Sequence, residues 1–260
     1  MNNVVSILKK FWLESGLAEG DLVLLHSDIR GTMRDFFKKK IKITPLDIFN
    51  SFLETVGDSG TILFPNFDIN LSDKMKFNLQ NSSSKMGVIT EIARNHNASY
   101  RTKHPLLSFS VIGKKKRLFY SCDDFTGIGL NSPFDILYKN NGKIAILNLR
   151  ENDSMSFYHF VEQIHDVDYR HIINFEVSYT DDKINGTKKY GYYARKRDQG
   201  VETDVEKMGE ILWKKKLYNG FHYNTGNRLR TIKARDVYNE TSKVIQMNKA
   251  YGILYKIRKL

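Results

Sequence analysis

The sequence predicts an α/β protein: a layered α/β/α domain with a central, mostly parallel or mixed sheet and a more β-rich C-terminal extension. Three observations carry this expectation. Four short apolar runs, "DLVLLHSDI" (21–29), "TILFPNF" (61–67), "LSFSVIG" (107–113) and "KIAILNL" (143–149), each end in polar or turn residues, as buried central strands do. Amphipathic stretches separate them, and strand–helix alternation favours a sheet covered on both faces. In the last third, strand-like segments show polar residues on both faces.

The elements follow in order. After the first strand, "TPLDIFNSFLETVGD" predicts a helix with Thr44 as N-cap, Pro45 at its first position and an inward stripe of Leu46, Phe49 and Leu53. After the second strand, "SSKMGVITEIARN" predicts a helix that starts at a serine cap and turns Ile89, Ile92 and Ala93 inward. The third and fourth strands precede "SMSFYHFVEQIHDV", a helix whose apolar set is Phe157, Phe160, Val161 and Ile164. "INFEVSYT", "KKYGYYARK" and "NRLRTIKARDVY" predict twisted strands, with a helix "VETDVEKMGEILWKKKL" between the last two. One domain over 1–260 is expected, with a catalytic and cofactor core at 1–180 and a basic sheet extension or lid at 181–260.

The 260 residues are 41% hydrophobic, ordinary for a globular chain large enough to bury a sizeable core. No apolar run approaches the roughly 18–20 residues of a membrane span. The start "MNNVVSILKKFWLESG" lacks the layout of a cleavable signal, so a cytoplasmic protein is expected. Cys122 is the only cysteine, which excludes an internal disulfide and thiol-based metal clusters. The formal net charge is +12, and it is unevenly placed: residues 181–260 hold 19 basic and 9 acidic side chains. Such a field attracts phosphates and other anions, although a solvated basic surface has the same composition. The tyrosines and phenylalanine among these charges (Tyr190, Tyr192, Tyr193, Phe221, Tyr223) keep a nucleic-acid or anionic-membrane surface open as a different class of function.

The chemistry concentrates in "SMSFYHFVEQIHDVDYR" (154–170). On a helix, His159 and Glu162 share one face at i, i+3, and Glu162 and His165 repeat the spacing. A carboxylate beside an imidazole fixes its tautomer and raises its basicity, which suits a general base. An exposed helix pair has the same spacing. A metal site is the weaker alternative, because Glu-x-x-His centres need a second copy and further glutamates, and "EQIH" occurs once. His26 and Ser27 end the first predicted strand, where open α/β sheets bind ligands. Gly87 opens a helix, and Arg101, His104 and Ser108 gather before the third strand.

Taken together these stretches resemble the aminoglycoside 3-N-acetyltransferase, or antibiotic N-acetyltransferase, family. The likeness runs through His26-Ser27, "GTILFP" (60–65), "SKMG" (84–87), Glu91 and Arg94, "RTKHP" (101–105), Ser108, Ser132-Pro133 with Leu137, "GKIAILNL" (142–149), and Ser156, His159 and Glu162. It covers about residues 20–170. The chain departs from the pattern at Asp28 and Ser156, where serine and threonine are usual, in "HFVE" for "HLAE", and at Asn148 for a glycine.

The resemblance implies acyl transfer from acetyl-CoA to a primary amine, with no metal. His159 is then the general base and Glu162 its orienting partner. His26, Ser27, Gly31, Gly87, His104 and Ser108 become the expected coenzyme contacts, with backbone N–H groups after "LLHS" and near Gly87 facing the oxyanion. Asp28 and Ser156 fall on the acceptor side. Arg195 and Arg197 join them on the strength of the local charge. A phosphate-bearing acceptor fits that charge, so a nucleotide-linked amino sugar of surface-polysaccharide biosynthesis is the expected small-molecule partner. An aminoglycoside is the alternative. No nucleic acid is expected as partner, and a homo-oligomer stays open.

Overall fold

The four apolar runs lie side by side in one seven-stranded sheet. The structure, a computed structural model, describes residues 3–72, 75–222 and 229–258. The first two-thirds of the chain contain α1 (Asn3–Glu14), β1 (Leu22–Ser27), α2 (Arg30–Lys38), α3 (Pro45–Val56), β2 (Thr61–Phe67), β3 (Lys76–Asn78), α4 (Val88–Arg94), β4 (Tyr100–Arg101), β5 (Leu107–Gly113), α5 (Pro133–Lys139), β6 (Lys143–Leu147) and α6 (Phe157–Ile164). The remainder contains β7 (Arg170–Thr180), β8 (Asn185–Arg195), β9 (Val201–Thr203), α7 (Glu206–Lys214), β10 (Asn219–Gly220), β11 (Leu229–Lys233), α8 (Ala234–Gln246) and β12 (Tyr255–Ile257).

The sheet order is β10-β11-β6-β1-β2-β5-β4. β1 runs parallel to β2 and β6, and the flanking strands are antiparallel, so the sheet is mixed around a parallel centre. Leu22 and Leu24 of β1 pack in the core under α5, α6 and α8, while Val23 and Leu25 pack under α1 and α3. This is the period-two alternation of a strand buried on both faces. Each such Leu, Val or Phe contributes about 1.5–3 kcal/mol when fully buried.

The structure corrects several expectations. On α3 the buried stripe is Ile48, Phe49, Phe52 and Val56, whereas Leu46 is 52% exposed in the first turn. α4 is capped at Gly87, not at a serine. Ser84 is held two residues before Met86 by bonds to Thr90 Oγ1 and from Met86 N–H, so it shapes the approach to the helix instead. β5 is antiparallel to β2. Among the described residues of "NRLRTIKARDVY", Leu229–Lys233 is the strand. It lies inside the main sheet against β6, and α8 follows at once. Its polar look arises because Arg230 and Thr231 are buried and hydrogen-bonded, Thr231 Oγ1 to Ser15 O at 2.6 Å. The helix expected over "VETDVEKMGEILWKKKL" is α7 alone, preceded by β9. β7 ends at Thr180 and pairs with β8 in a hairpin that forms a separate sheet with β3. No helix among the described residues is long and apolar enough to cross a membrane.

The cap of α3 is a full capping box. Thr44 Oγ1 accepts from Asp47 N–H at 3.1 Å, and Asp47 Oδ2 accepts from Thr44 N–H at 2.8 Å. Thr44→Ala is expected to lower unfolding free energy by about 1 kcal/mol. Urea denaturation measures it; an unchanged midpoint would show that the box contributes nothing.

Candidate active site

α6 begins beside the C-terminal end of β1, and this junction builds the site. Phe157, Phe160 and Val161 anchor the helix in the core. That leaves His159 on the opposite side, where it lines an open cavity of about 780 Å³ together with His26, Ser156, Glu151, Asp153 and Tyr193. His159 Nδ1 lies 2.7 Å from Glu162 Oε2. The Glu162 side chain is fully buried, and that of His159 is 29% exposed.

Two further side chains hold the buried carboxylate, and a third holds the residue's backbone. Tyr169 donates its hydroxyl to Glu162 Oε1 at 3.0 Å. Arg170 Nε stands 2.7 Å from Oε2 as an ion pair. The Tyr193 hydroxyl bonds the Glu162 carbonyl at 3.3 Å. Burial works to raise the Glu162 pKa, but Arg170, His159 and Tyr169 outweigh it and hold the carboxyl below its ordinary range. Nδ1 faces two groups, the Glu162 carboxylate, which can only accept, and Arg170 Nη2 at 2.8 Å, which can only donate. With its proton directed to the nearer carboxylate oxygen, Nε2 is the basic nitrogen. Burial, then the Arg170 charge, lowers the His159 pKa against the opposing pull of Glu162. The imidazole is therefore neutral near pH 7 and able to accept a proton.

The structure places the remaining expected residues unequally. His26 and Ser156 belong to the same cavity, with Ser156 Oγ 3.4 Å from His26 Nε2. Ser27, Asp28 and Gly87 line a neighbouring groove that shares Met86 with the cavity. Gly31 is buried in the first turn of α2 and lines neither. In the loop after β1, Asp28 N–H already bonds Leu147 O, and Arg30 N–H bonds the Asp28 carboxylate, so these two amides are not free for an oxyanion. Asp28 also binds the Arg30 guanidinium, which holds its carboxyl low. Gly87 has φ +110, and a Cβ there would meet nothing within 4 Å. The glycine thus keeps the wall of the groove bare.

His104 and Ser108 stand apart from both cavities. His104 Nδ1 accepts from Leu107 N–H at 3.1 Å, and Nε2 faces Gly191 O at 3.2 Å. Ser108 Oγ accepts from Arg101 Nε at 3.0 Å. Both serve the packing of β5 and the hairpin. Arg195 and Arg197 line a third recess, which shares Ile69 and Tyr192 with the dyad cavity. His165 bonds Ser242, away from Glu162. Cys122 is buried, and burial pushes its thiol up to about 12, which removes it as a nucleophile at neutral pH. No three His, Cys, Asp or Glu residues among those described could hold a metal ion.

The sequence reading missed Arg170, Tyr169 and the buried pair Glu151–Arg230. Arg230 Nη2 lies 3.1 Å from Glu151 Oε2, and Tyr158 and Tyr218 both donate to Oε1 at 2.6 and 2.7 Å. This network fixes the loop between β6 and α6 at the cavity edge. "DYR" (168–170) closes the stretch that holds the dyad, so the signal for Arg170 was available. Arg230 lay in a segment whose strand looked two-sided. Asn148 has φ +57, a conformation that favours glycine and tolerates asparagine, which accounts for the departure there. Its Nδ2 bonds Asp28 O at 2.7 Å and ties β6 to the loop after β1.

A histidine–glutamate pair on a helix at the mouth of a mixed sheet, lining a cavity beside a groove, defines an α/β protein with a candidate proton-transfer site. Residues 24–246 match the family described as aminoglycoside 3-N-acetyltransferase, and the chain belongs to that family. An SPbeta prophage-derived aminoglycoside N(3')-acetyltransferase-like protein, YokD of Bacillus subtilis, is 24% identical over 182 residues, which are 61% of this chain and 64% of that relative. The fold is similar to AAC-IIIb in a binary structure with CoASH (TM-score 0.78, 17% identity, 94% of this chain and 96% of that one). It is equally similar to AAC-VIa bound to sisomicin (TM-score 0.79, 16% identity, 94% and 97%).

Two buried imidazoles set an acid limit on the fold. Burial, reinforced by Arg230, lowers the His26 pKa to about 3, and burial lowers that of His104 to about 4 against the nearby Gly191 and Phe125 carbonyls. In the unfolded chain both bind protons near pH 6.5. Their contribution is therefore fully present above pH 6.5 and is lost as pH falls toward 4, at up to about 1.4 kcal/mol per pH unit for each group. Chemical denaturation at pH 7.5, 6 and 5 is expected to show falling stability, with a shallower fall for His104→Gln. A flat profile over that window contradicts the neutral, buried state of both rings.

Proposed function

We propose that the protein transfers an acetyl group from acetyl-CoA to a primary amine of an amino sugar of the aminoglycoside type. The carrying observation is His159, a neutral imidazole oriented by a buried carboxylate at 2.7 Å with its Nε2 side toward an open cavity. Family membership supplies the reaction class. The groove at Ser27 and Gly87, bare where a Cβ would stand, suits the coenzyme. Acetyl-CoA supplies the acyl group as a thioester.

The chain's own part is proton transfer and positioning. The amine nitrogen bonds to the acyl carbon and the carbon–sulfur bond breaks. His159 Nε2 takes the proton that the amine gives up, and the proton ends on the departing sulfur, so acetyl-CoA and amine become amide and CoA thiol. Glu162 stays ionised and stabilises the transient imidazolium. Ser156 and His26 shape the floor beneath it.

For the acceptor, the cavity matters more than the chain-wide charge. Among the described residues its lining holds no lysine or arginine, and its two carboxylates, Glu151 and Asp153, are already paired with Arg230 and Arg150, so it offers a phosphate no cation of its own. That favours an amine-bearing sugar over the nucleotide-linked sugar expected from the +12 sum. Two aromatic residues of the basic region, Tyr190 and Tyr193, are buried and so do not offer faces for base stacking, while Tyr192 and Phe221 are half-buried. Tyr223 lies outside the described residues.

Two measurements test this reading. His159→Ala is expected to lower turnover by about 10²–10⁴-fold, and Glu162→Gln by less, in a thiol-release assay with acetyl-CoA and an aminoglycoside panel. Near-wild-type acetylation by His159→Ala would remove the imidazole from the mechanism. Acetyl-CoA is also expected to raise the melting temperature, because it binds the native state alone. No shift at millimolar coenzyme counts against coenzyme binding as a whole.

A further inference from the structure

The β7–β8 hairpin sets two arginines directly opposite each other, Arg170 in register with Arg195. Like charges at facing positions of a hairpin destabilise it. Arg170 is compensated by Glu162 at 2.7 Å. Arg195 has no carboxylate within ion-pair distance among the described residues, and neither has Arg197 two positions on. Nearby Glu202 pairs instead with Lys256 and Arg258.

Both uncompensated guanidiniums line the recess that adjoins the dyad cavity across Ile69 and Tyr192. His171 lines it too, and Asp198 is the one carboxylate in the described lining. Ile69 and Ile173 form apolar walls, which strengthen any charge interaction made there. Two planar guanidinium forks beside an apolar wall suit an oxyanion, which can take paired hydrogen bonds from each.

We infer that Arg195, Arg197 and His171 form an oxyanion subsite beside the dyad cavity, taking the phosphate or carboxylate of an acceptor whose amine reaches His159, or else a separate small anion. In its first form the inference rests on the acetyl-transfer reading but takes an amino-sugar acceptor that, unlike an aminoglycoside, carries an anionic group. An anion there also removes the repulsion that Arg195 exerts on Arg170.

The test uses the intact protein with saturating CoA or acetyl-CoA, so that the coenzyme's own phosphates are already placed. Inorganic phosphate is titrated calorimetrically into the wild type, the exposed single variant Arg197→Gln, and Arg195→Gln/Arg197→Gln. Glucosamine 6-phosphate is compared with glucosamine as acceptor by thiol release. Phosphate is expected to bind the wild type and to bind the double variant about tenfold or more weakly. A kcat/KM advantage of similar size for the phosphorylated sugar, collapsing toward one in the variant, assigns the anion to the acceptor. Arginine-dependent phosphate binding with no acceptor advantage assigns it to a separate anion. If neither sugar is acetylated while arginine-dependent binding persists, the acetyl-transfer reading with these sugars fails and the subsite stands. Should the double variant fail to fold, Arg197→Gln carries the same comparison. No phosphate binding to the wild type, or binding unchanged by the substitutions, overturns the inference.

Discussion

A carboxylate with no exposure to water must be matched by positive charge and hydrogen bonds, and Glu162 sets that requirement for the whole site. Breaking such a buried pair by removing one partner costs about 3–5 kcal/mol, because the other charge is stranded. The requirement is met from three places: Arg170 at the start of β7, Tyr169 just before it, and His159 one turn earlier on α6. α6 therefore cannot shift relative to the hairpin without stranding Glu162. One ion pair fixes the helix, the hairpin and the orientation of the imidazole together. The geometry of the His159–Glu162 pair follows from a burial constraint, and Arg170, with Nη2 2.8 Å from His159 Nδ1, touches both members of it.

The second buried pair repeats this logic with a longer reach. Arg230 on β11 and Glu151 after β6 are separated by most of the last third of the chain, yet both side chains are essentially inaccessible. Two tyrosine hydroxyls, Tyr158 from α6 and Tyr218, complete the carboxylate. Gly209 of α7 packs so closely on Glu151 that a Cβ would stand 2.8 Å from its carboxyl carbon. The cavity edge is thus held from the C-terminal side. That makes the last third structural for the site, since its removal would leave Glu151 without its cation.

Local patterns in the sequence were sufficient for the strands of the centre and for the dyad. Apolar runs of five to seven residues need no distant information to be recognised, and i, i+3 spacing is a property of one helix. What was not legible depends on distance. Arg230 gives β11 a polar look, and only the meeting with Glu151, 79 residues away, makes it an interior residue. Leu46 fits a helical stripe as well as Ile48 does, and the direction in which α1 packs decides between them. His104 and Ser108 sit in a motif that matches the family, but their hydrogen bonds turn them toward Gly191 and Arg101. A motif can be preserved in order while its members divide between chemistry and scaffold.

Charge shows the same limit most clearly. A net +12 describes the field far from the surface, where it governs encounter. Within a cavity the nearest groups dominate, since charges beyond a Debye length of about 10 Å at 0.1 M salt are largely screened. Near His159 those groups are Glu162, Arg170, Glu151 and Asp153, which carry mixed signs, and the excess positive charge is displaced to the hairpin end at Arg195 and Arg197. The imidazole needs this separation. A further uncompensated cation beside it would lower its basicity, as burial, then Arg170 and, more weakly, Arg195 already do. Keeping the free arginines one recess away leaves His159 basic enough to accept a proton while the basic surface remains available to anions.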